Sequence, residues 1–181
     1  MKNFTFIFFL IFATMNSQSI DLINPNQNIG LKGWSIVNND VMGGISTSYV
    51  SLNEEKNLIF KGYLSLENNG GFASSRLGVK RKALVGVKSF KIKFRGDGNT
   101  YKLRLRQNNR RVSYSCDFES IKDIWVEVDI PIEDFKPTWR GYNYSDYPAL
   151  EIEEINSLGL HISDKQEGEF ELEIEYIKAI Y

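Results

Sequence analysis

The chain has 181 residues, of which 42% are hydrophobic and 25% are charged, and its formal net charge is −1. This length predicts one domain, and this composition is that of an ordinary globular protein. The nearly neutral charge provides no overall field that would attract nucleic acid or an anionic membrane, so neither is predicted as a partner.

The N-terminal segment has the three parts of a secretory signal peptide. Lys2 precedes an apolar run over residues 4–13, and small and polar residues ending in "SQS" follow it. The run is about ten residues long, whereas a membrane-spanning helix needs about 20. We therefore expect a cleaved signal peptide at 1–19, a single mature domain at 20–181, export to the periplasm or secretion, and no stable membrane insertion. An uncleaved N-terminal anchor is the alternative.

Two glycine-rich corners come before the longest strand patterns. "NNDVMGG" and "ENNGG" each place polar residues next to paired glycines. Glycine accepts torsions and close contacts that a Cβ forbids, and an aspartate can fix a turn by accepting hydrogen bonds from backbone amides. We interpret both corners as architecture, with the rim of a ligand site as the alternative. The corner residues are Asp40, Gly43, Gly44, Asn68, Asn69, Gly70 and Gly71.

Short alternating runs separated by turn residues follow, which is the pattern of an all-β sandwich or barrel. The clearest run covers 89–107, where apolar and basic residues alternate on both sides of "GDGN". Because these turn residues tolerate positive φ, the run predicts a hairpin with an apolar face and a basic face. Its apolar positions are Phe90, Ile92, Phe94, Tyr101, Leu103 and Leu105, and its basic positions are Lys91, Lys93, Arg95, Lys102, Arg104 and Arg106.

Four later runs continue the alternation, in "RVSYSCDF", "WVEVDIP", "SLGLHIS" and "GEFELEIEYI". The last run places a row of glutamates, Glu169, Glu171, Glu173 and Glu175, opposite its apolar residues. Basic and acidic rows can pair across strands, at about 0.2–1 kcal/mol per pair. We therefore interpret the charge rows as a solvated or mutually neutralised face.

The segment 131–155 is the least regular part of the sequence. It carries several aromatic residues and most of the prolines of the chain. We predict a long ordered loop there, with a short helical turn near "PALEIEEI".

Five segments, in order, resemble the complex I intermediate-associated protein 30 family. They are Trp34 to Ser46, Phe60 to Arg76, Phe94 to Arg106, Trp125 to Gly141 and Ser157 to Ile177. The resemblance implies a single jelly-roll β-sandwich of the galactose-binding-like type. It also implies a role like that of the mitochondrial members, which bind assembly intermediates of respiratory complex I and do not catalyse a reaction. Similar sandwiches elsewhere serve as carbohydrate-binding modules.

The N-terminus departs from that of the mitochondrial members, because it is of the secretory type and is not an Arg-rich transit peptide. The chain is therefore identified as an exported, bacterial-type member. An exported protein would not meet complex I assembly on the inner side of a membrane.

The sequence offers little material for catalysis or metal binding. The lone histidine, His161, is interpreted as a surface or inter-strand residue, with a general base as the alternative. The lone cysteine, Cys116, excludes an internal disulfide and is read as a small buried residue. A structural calcium ion among the loop carboxylates of Asp40, Asp97 and Asp164 is kept only as an alternative, because their spacing is not that of an EF-hand. We predict no enzyme, no catalytic residue, no metal and no cofactor.

The predicted function is binding of a protein partner or assembly intermediate, with carbohydrate binding as the alternative. Arginine grips carboxylates in a bidentate manner, and aromatic rings stack on sugars or fill protein pockets. We expect the site where polar strand faces meet the irregular segment, unless the arginines simply pair with the glutamates of the last strand. The candidate binding residues are Arg76, Arg104, Arg106, Trp139, Arg140 and Tyr142. The aromatics that favour carbohydrate are Trp125, Trp139, Tyr142, Tyr144 and Tyr147.

Overall fold

The structure, a computed structural model, describes residues 18–39, 43–108 and 110–181. Nearly all of the predicted signal peptide lies outside these ranges, as do Asp40 and the side chain of Asn69. Within them the chain is all-β, with 3-10 turns at Pro25–Gln27, Glu67–Asn69, Ile132–Asp134 and Ile152–Glu154. The same ranges contain no helix that is both long and apolar enough to cross a membrane.

The strands form two antiparallel sheets. They are β1 (Ser19–Ile23), β2 (Trp34–Ile36), β3 (Thr47–Leu52), β4 (Leu58–Leu64), β5 (Ala73–Gly78), β6 (Ser89–Gly96), β7 (Thr100–Gln107), β8 (Ser113–Glu119), β9 (Trp125–Pro131), β10 (Lys136–Trp139), β11 (Tyr142–Asn143), β12 (Ile155–Ile162) and β13 (Gly168–Ile180). A six-stranded sheet has the order β3-β4-β13-β6-β9, with β1 also paired to β13. A seven-stranded sheet has the order β11-β10-β8-β7-β12-β5-β2. The predicted jelly-roll β-sandwich is confirmed.

The core lies between the two sheets and is built from the alternation seen in the sequence. Phe90, Ile92 and Phe94 of β6 are fully buried, and so are Leu103 and Leu105 of β7. Each such side chain contributes about 1.5–3 kcal/mol when it is removed from water. The opposite positions of each strand therefore point out to solvent, and these outer faces carry the charged rows.

The hairpin predicted over 89–107 is wrong in its pairing. β6 pairs with β13 and β9, whereas β7 pairs with β8 and β12 in the other sheet. The chain crosses between the sheets at Asp97, whose carboxylate accepts hydrogen bonds from the Asn99 amide (3.0 Å), the Tyr101 hydroxyl (3.0 Å) and the Glu171 amide (2.8 Å). Alternation decides which side of a strand faces the core, but it does not decide which strand lies beside it.

The irregular segment is more structured than predicted. It contains β10, which pairs with β8, and the short β11, which pairs with β10. The helical turn predicted near "PALEIEEI" is present as the 3-10 turn at Ile152–Glu154. A four-residue strand that includes Pro137 is too short to leave an alternating pattern in the sequence.

The two glycine corners meet at one buried amide, that of Asn39, which is 0% exposed. Its Nδ2 donates to Ser46 Oγ (2.9 Å) and to the Ser65 carbonyl (3.3 Å), and its Oδ1 accepts from the Ser46 amide (3.0 Å). A Cβ on Gly44 would lie 2.3 Å from Asn39 Cγ, and one on Gly70 would lie 2.2 Å from Asn39 Nδ2. These contacts favour the architectural interpretation of the corners, which stays a prediction.

The other corner residues occupy the turns themselves. Asn68 has a φ of 55°, Gly43 has a φ of +87° and Gly71 has a φ of +119°, which are left-handed values. Asn69 ends the 3-10 turn at Glu67–Asn69. The first corner joins β2 of the seven-stranded sheet to β3 of the six-stranded sheet, so it holds the two layers together at one end.

Candidate functional site

The outer face of the six-stranded sheet carries neutralised charges, and we call it the ion-pair face. Its cross-strand pairs are Lys61–Glu171 (3.4 Å), Lys91–Glu127 (3.3 Å), Lys93–Glu175 (2.7 Å) and Arg95–Glu173 (2.6 Å). The prediction that the basic and acidic rows neutralise each other is therefore correct for this sheet.

Glu173 is the most buried charge of the ion-pair face, at 5% exposure. Its Oε1 accepts hydrogen bonds from the amides of Asn53 (2.6 Å) and Asn57 (2.8 Å). Its Oε2 accepts from Arg95 Nε (2.9 Å). The carboxylate is thus fully supplied with donors, as a buried charge must be.

The outer face of the seven-stranded sheet carries Arg76 of β5, Arg104 and Arg106 of β7 and His161 of β12, and we call it the arginine face. Gly159 of β12 lies in register with both Arg76 and Arg104, so it separates these two arginines. Among the described residues, none of the three arginines forms an ion pair with a carboxylate. The alternative that they pair with the glutamates of the last strand is wrong, because β13 belongs to the other sheet.

Arg104 is held in place by neutral partners. Its Nε donates to Ser113 Oγ (3.1 Å), its Nη2 donates to the same oxygen, and its Nη1 donates to His161 Nδ1 (3.1 Å). A guanidinium group has no acceptor, so Nδ1 must accept and the imidazole is neutral, with its proton on Nε2. Phe72 stacks on the imidazole, with ring centroids 5.6 Å apart.

His161 is an inter-strand residue, but it is not on the surface, because only 7% of it is exposed. Burial, followed by the positive charges of Arg104, Lys102 and Arg76, lowers the pKa of His161 well below its usual value. The imidazole therefore stays neutral at physiological pH and serves as an acceptor for Arg104.

Burial also disfavours the charge on the arginines themselves. Burial, followed by the charges of Arg76 and Arg106, lowers the pKa of Arg104 to about 10. Burial lowers the pKa of Arg106, and burial together with the charge of Arg106 lowers the pKa of Arg76. All three guanidinium groups remain charged at neutral pH, so the arginine face concentrates positive charge that no carboxylate of the described chain balances.

Lys102, on the same strand face, shows that acidic partners are available nearby. Its Nζ lies 2.8 Å from an Asp117 oxygen and 2.7 Å from an Asp164 oxygen. Asp164 therefore forms an ion pair with Lys102. Asp97 accepts hydrogen bonds where the chain crosses between the two sheets. Within the described ranges, no group of three or more His, Cys, Asp or Glu side chains is placed to hold a metal ion.

A narrow cleft opens over Gly159, between the arginines. Its volume is about 10 Å³, and its lining consists of Arg76, Arg104, Arg106, Gly159, Ser74, Ser75, Ser157 and Leu160. None of the residues that line it is aromatic. The cleft therefore has room for one small polar group and offers it three guanidinium groups.

The structure separates the aromatic candidates from the arginines. Trp139, Arg140 and Tyr142 lie at the β10–β11 turn, and β8 runs between β10 and the strand of Arg104. Thr138 contacts Ser115 on the arginine face, so alternation turns Trp139 to the opposite side. The guanidinium of Arg140 stacks over the Trp139 ring at 4.9 Å, and Tyr142 is 72% exposed. The six predicted residues thus form two groups.

A second, wider cavity lies beside this turn, with a volume of about 470 Å³. Its walls include three tyrosines, Tyr114, Tyr144 and Tyr147, together with Pro148 and Asn143. Tyr114 donates a hydrogen bond from its hydroxyl to the Pro148 carbonyl (2.6 Å). Trp125 lies elsewhere, on the ion-pair face, where Arg95 stacks on it at 5.1 Å.

Sequence reasoning missed the residues that complete the arginine face. Ser113 and Gly159 carry no distinctive chemistry, and their importance depends on strand register. Phe72 follows the second glycine corner and covers His161. The sequence did contain one signal for this site. In "SLGLHIS", His161 and the glycine two residues before it lie on the same, outward face of the strand.

Cys116 is a half-buried residue of β8 that packs against the core. Burial, followed by the charges of Asp134 and Asp117, raises the pKa of the Cys116 thiol. A raised pKa keeps the sulfur protonated and so reduces its reactivity as a nucleophile.

Comparison with known proteins identifies relatives for most of the chain. The family model described as complex I intermediate-associated protein 30 matches residues 23–174. The mitochondrial complex I intermediate-associated protein 30 of Mus musculus is 25% identical over 170 residues, which is 81% of this chain and 52% of the mouse protein. An uncharacterized protein of Schizosaccharomyces pombe is 30% identical over 184 residues, 88% of this chain and 83% of the yeast protein. The chain thus spans about half the length of the mouse relative.

Solved structures with the same fold include carbohydrate-binding modules. The family 11 module of a Clostridium thermocellum cellulosomal cellulase has a TM-score of 0.66 and 11% identity, over 93% of this chain and 96% of that one. A family 29 module complexed with cellulohexaose has a TM-score of 0.56 and 6% identity, over 92% of this chain and 93% of that one. At these identities the similarity establishes the β-sandwich fold.

Proposed function

Because the chain belongs to the complex I intermediate-associated protein 30 family, we propose that it is a non-catalytic, exported domain that binds a protein partner. Its role is like that of an assembly factor, which holds an intermediate and does not transform it. The arginine face is the proposed binding surface.

The observation that carries this proposal is the unbalanced charge of the arginine face. Burying a charge without a partner costs free energy, and folded proteins normally pair such groups. Lys102 is paired with two carboxylates, whereas Arg76, Arg104 and Arg106 are left without any in the part of the chain that the structure describes. An acidic surface of another protein would supply the missing negative charge and would also accelerate encounter.

The ionisable groups of the face support binding better than catalysis. The imidazole of His161 is neutral, and its Nδ1 is occupied by Arg104. The thiol of Cys116 is protonated and lies on the core side of its sheet. Each group is thus held in one state, whereas a general base or nucleophile must change its state near the working pH.

Export is proposed from the N-terminal sequence, and β1 suggests where cleavage occurs. Ser19 of β1 pairs with Ile180, and the Gln18 carbonyl accepts a hydrogen bond from the Tyr181 amide (2.9 Å). Cleavage N-terminal to residue 18 would keep both of these contacts. Mass spectrometry of the natively expressed protein should find an N-terminus near Ser17 to Ile20; intact Met1 in the membrane fraction would contradict export.

The binding proposal is tested by affinity capture from native extracts with three forms of the protein. The wild type, the double variant Arg76→Gln/Arg104→Gln and the control Arg111→Gln are compared by quantitative mass spectrometry. Arg111 is an exposed arginine outside the cleft, so the control removes a positive charge and leaves the cleft intact. We expect partners that the wild type and the control retain and the double variant loses. Equal capture by all three would place the partner surface elsewhere.

Carbohydrate binding is the second candidate function, and the cavity beside the β10–β11 turn favours it. Three tyrosines and an asparagine line that cavity, and sugar rings are bound by aromatic faces with polar groups at their edges. The fold shared with carbohydrate-binding modules is compatible with it. On a glycan array, this function predicts signals that Tyr144→Ala removes and Arg104→Gln leaves unchanged. An array without signals would exclude it for the glycans printed.

A further inference from the structure

We propose that the cleft over Gly159 is a receptor for a single carboxylate group, which an acidic segment of the protein partner presents to Arg76 and Arg104. This inference rests on the proposed function and adds to it the chemical class of the ligand and the atoms that bind it. Three independent features of the arginine face support it: the shape of the cleft, the unused hydrogens of Arg104 and the local charge.

The shape of the cleft follows from the register of β12. Gly159 is the cross-strand neighbour of Arg76 on one side and of Arg104 on the other. Any side chain at this position would stand between the two guanidinium groups and fill the space. The volume of about 10 Å³ is close to that of one water-sized probe, so the cleft admits about one oxygen atom of a carboxylate, whose other atoms would lie above it, and it excludes a sugar ring.

The unused hydrogens of Arg104 form a donor pair. A guanidinium group has five N–H donors. Ser113 accepts from Nε and Nη2, and His161 accepts from Nη1, so one hydrogen on each Nη nitrogen has no partner in the described part of the chain. N–H groups on both Nη nitrogens are therefore available to donate to the oxygens of a carboxylate. Because Ser113 and His161 already fix the guanidinium group, little conformational entropy is lost when the ligand binds.

The local charge favours an anion. Arg76 and Arg106 are the charged neighbours of Arg104 on this face. Burial, and after it the charges of Arg76 and Arg106, lowers the pKa of Arg104, and burial followed by the charge of Arg106 lowers the pKa of Arg76. Arg106 donates from Nη2 to the Arg110 carbonyl (2.7 Å), which is a neutral acceptor. A bound carboxylate would reduce the repulsion among these charges, whereas a neutral ligand would leave it unchanged.

The surroundings favour a carboxylate on an extended protein segment. Ser74, Ser157 and Gly159 have short side chains, so an extended chain can approach the sheet closely. The cleft residues include no aromatic ring on which a sugar or a nucleobase could stack. A flat carboxylate also fits this narrow space better than a tetrahedral phosphate does.

The experiment measures binding of a fluorescein-labelled hexaglutamate peptide to the purified protein by fluorescence anisotropy at physiological ionic strength. Hexaglutamine is the uncharged control peptide, and sodium acetate and inorganic phosphate are competitors. We expect hexaglutamate to bind, hexaglutamine not to bind, and acetate to compete at high concentration. Displacement by phosphate at lower concentrations than acetate would overturn the proposal in favour of a small-anion site.

Variants identify the atoms involved. Arg76→Gln and Arg104→Gln should each weaken hexaglutamate binding about tenfold or more, the loss expected for a charge-assisted hydrogen bond. Arg111→Gln should change the affinity less than about threefold, because it removes only a screened, exposed charge. Thermal melts of each variant establish that the protein is folded. Equal weakening by all three variants would show general attraction and overturn the cleft assignment.

Failure of this inference is distinguishable from failure of the proposed function. If native partners are captured through the arginine face but hexaglutamate does not bind, the partner surface is correct and the carboxylate assignment is wrong. If hexaglutamate binds the cleft but the double variant captures the same native partners as the wild type, the cleft binds carboxylates and the proposed function is wrong.

Discussion

The two outer faces of the sandwich are built by the same rule and are used differently. On both, basic residues alternate along a strand with apolar residues that enter the core. On the ion-pair face the neighbouring strands bring glutamates to Lys61, Lys93 and Arg95, so the rows neutralise each other. On the arginine face the neighbours of Arg104 bring Ser115 and Gly159. The strands that lie next to a charged row therefore decide whether it is structural or available to a ligand.

Glu173 and Arg104 show this difference at single residues. Both are largely withdrawn from water, and both hold several hydrogen bonds. Glu173 has a cationic partner in Arg95, so its charge stabilises the fold. Arg104 has only neutral acceptors among the described residues, so its charge does not contribute to the stability of the fold. Five predictions test this contrast and the corner that joins the two layers, from the largest expected effect to the smallest.

The largest effect is expected from Glu173→Ala on the ion-pair face. The change leaves Arg95, Asn53 and Asn57 without their acceptor, and it should lower the free energy of unfolding by about 3 kcal/mol or more. Urea denaturation measures this. The control Glu175→Ala removes a more exposed partner of Lys93 and should cost less than about 1 kcal/mol. Equal costs for the two variants would contradict the special role of Glu173.

The corner that joins the two layers should be nearly as sensitive. Gly44→Ala places a Cβ 2.3 Å from Asn39 Cγ and should cost roughly 1–3 kcal/mol, because the buried amide must move. Gly78→Ala is the control, since a Cβ there meets nothing within 4 Å. An unchanged melting temperature of Gly44→Ala together with lost ligand binding would instead assign the corner to a binding site.

The two faces should respond to acid at different pH. Burial, followed by the charges of Arg104, Lys102 and Arg76 that face it, keeps His161 neutral in the folded state, so its pKa lies below the value of 6.5 that we assign to the unfolded chain. The unfolded chain then binds more protons, and stability falls as the pH drops below about 6.5. His161→Phe should flatten this slope between pH 6.5 and 5, as measured by urea denaturation at each pH. An unchanged slope would contradict the neutral state of His161.

The ion-pair face responds at lower pH. Burial raises the pKa of Glu173, but hydrogen bonds from Asn57, Arg95 and Asn53 outweigh burial and lower the pKa from 4.5. Its contribution to stability is therefore present above pH 4.5 and is lost as the pH falls through the lowered value. Glu173→Gln should reduce the acid sensitivity below pH 4.5 by the contribution of Glu173 and leave the part that depends on His161, as measured by urea denaturation at each pH.

The smallest effect on stability is expected from Arg104→Met on the arginine face. Replacing a buried charge with an apolar side chain of similar length is often neutral or stabilising. Ser113 Oγ keeps a hydrogen bond to the Thr138 carbonyl (3.2 Å), whereas His161 Nδ1 loses its donor. The cost of this unpaired acceptor offsets the gain from removing a buried charge. We expect the free energy of unfolding to change by less than about 1 kcal/mol, while hexaglutamate binding is lost. A loss above about 2 kcal/mol would make Arg104 structural.

The sequence was sufficient to predict the layers of this fold, but it was not sufficient to predict which strands pair with one another. Alternation correctly assigned Phe90, Ile92 and Leu103 to the core, and ordered segments identified the family. The same alternation was misread as a hairpin at Gly96–Asn99, because a tight turn and a crossover between sheets use the same turn residues. Pairing depends on contacts between distant parts of the chain, which no local pattern records.

The site was predictable to a similar extent. Arg76, Arg104 and Arg106 were singled out, and the structure does bring them to one face. Trp139 was grouped with them because it lies near a predicted polar edge, but its strand turns it to the other side. Ser113 and Gly159 could not be found from sequence, because each matters only through the residue that register places beside it.

The position of β13 has a consequence for how the protein is made. This strand follows all the other described strands in the chain, yet it pairs with β1, β4 and β6 and so forms the centre of the six-stranded sheet. During synthesis from the N-terminus, that sheet lacks its middle strand until β13 emerges. Pairings of such large sequence separation also form slowly. The six-stranded sheet would therefore be completed, and the sandwich closed, only after β13 has been synthesised.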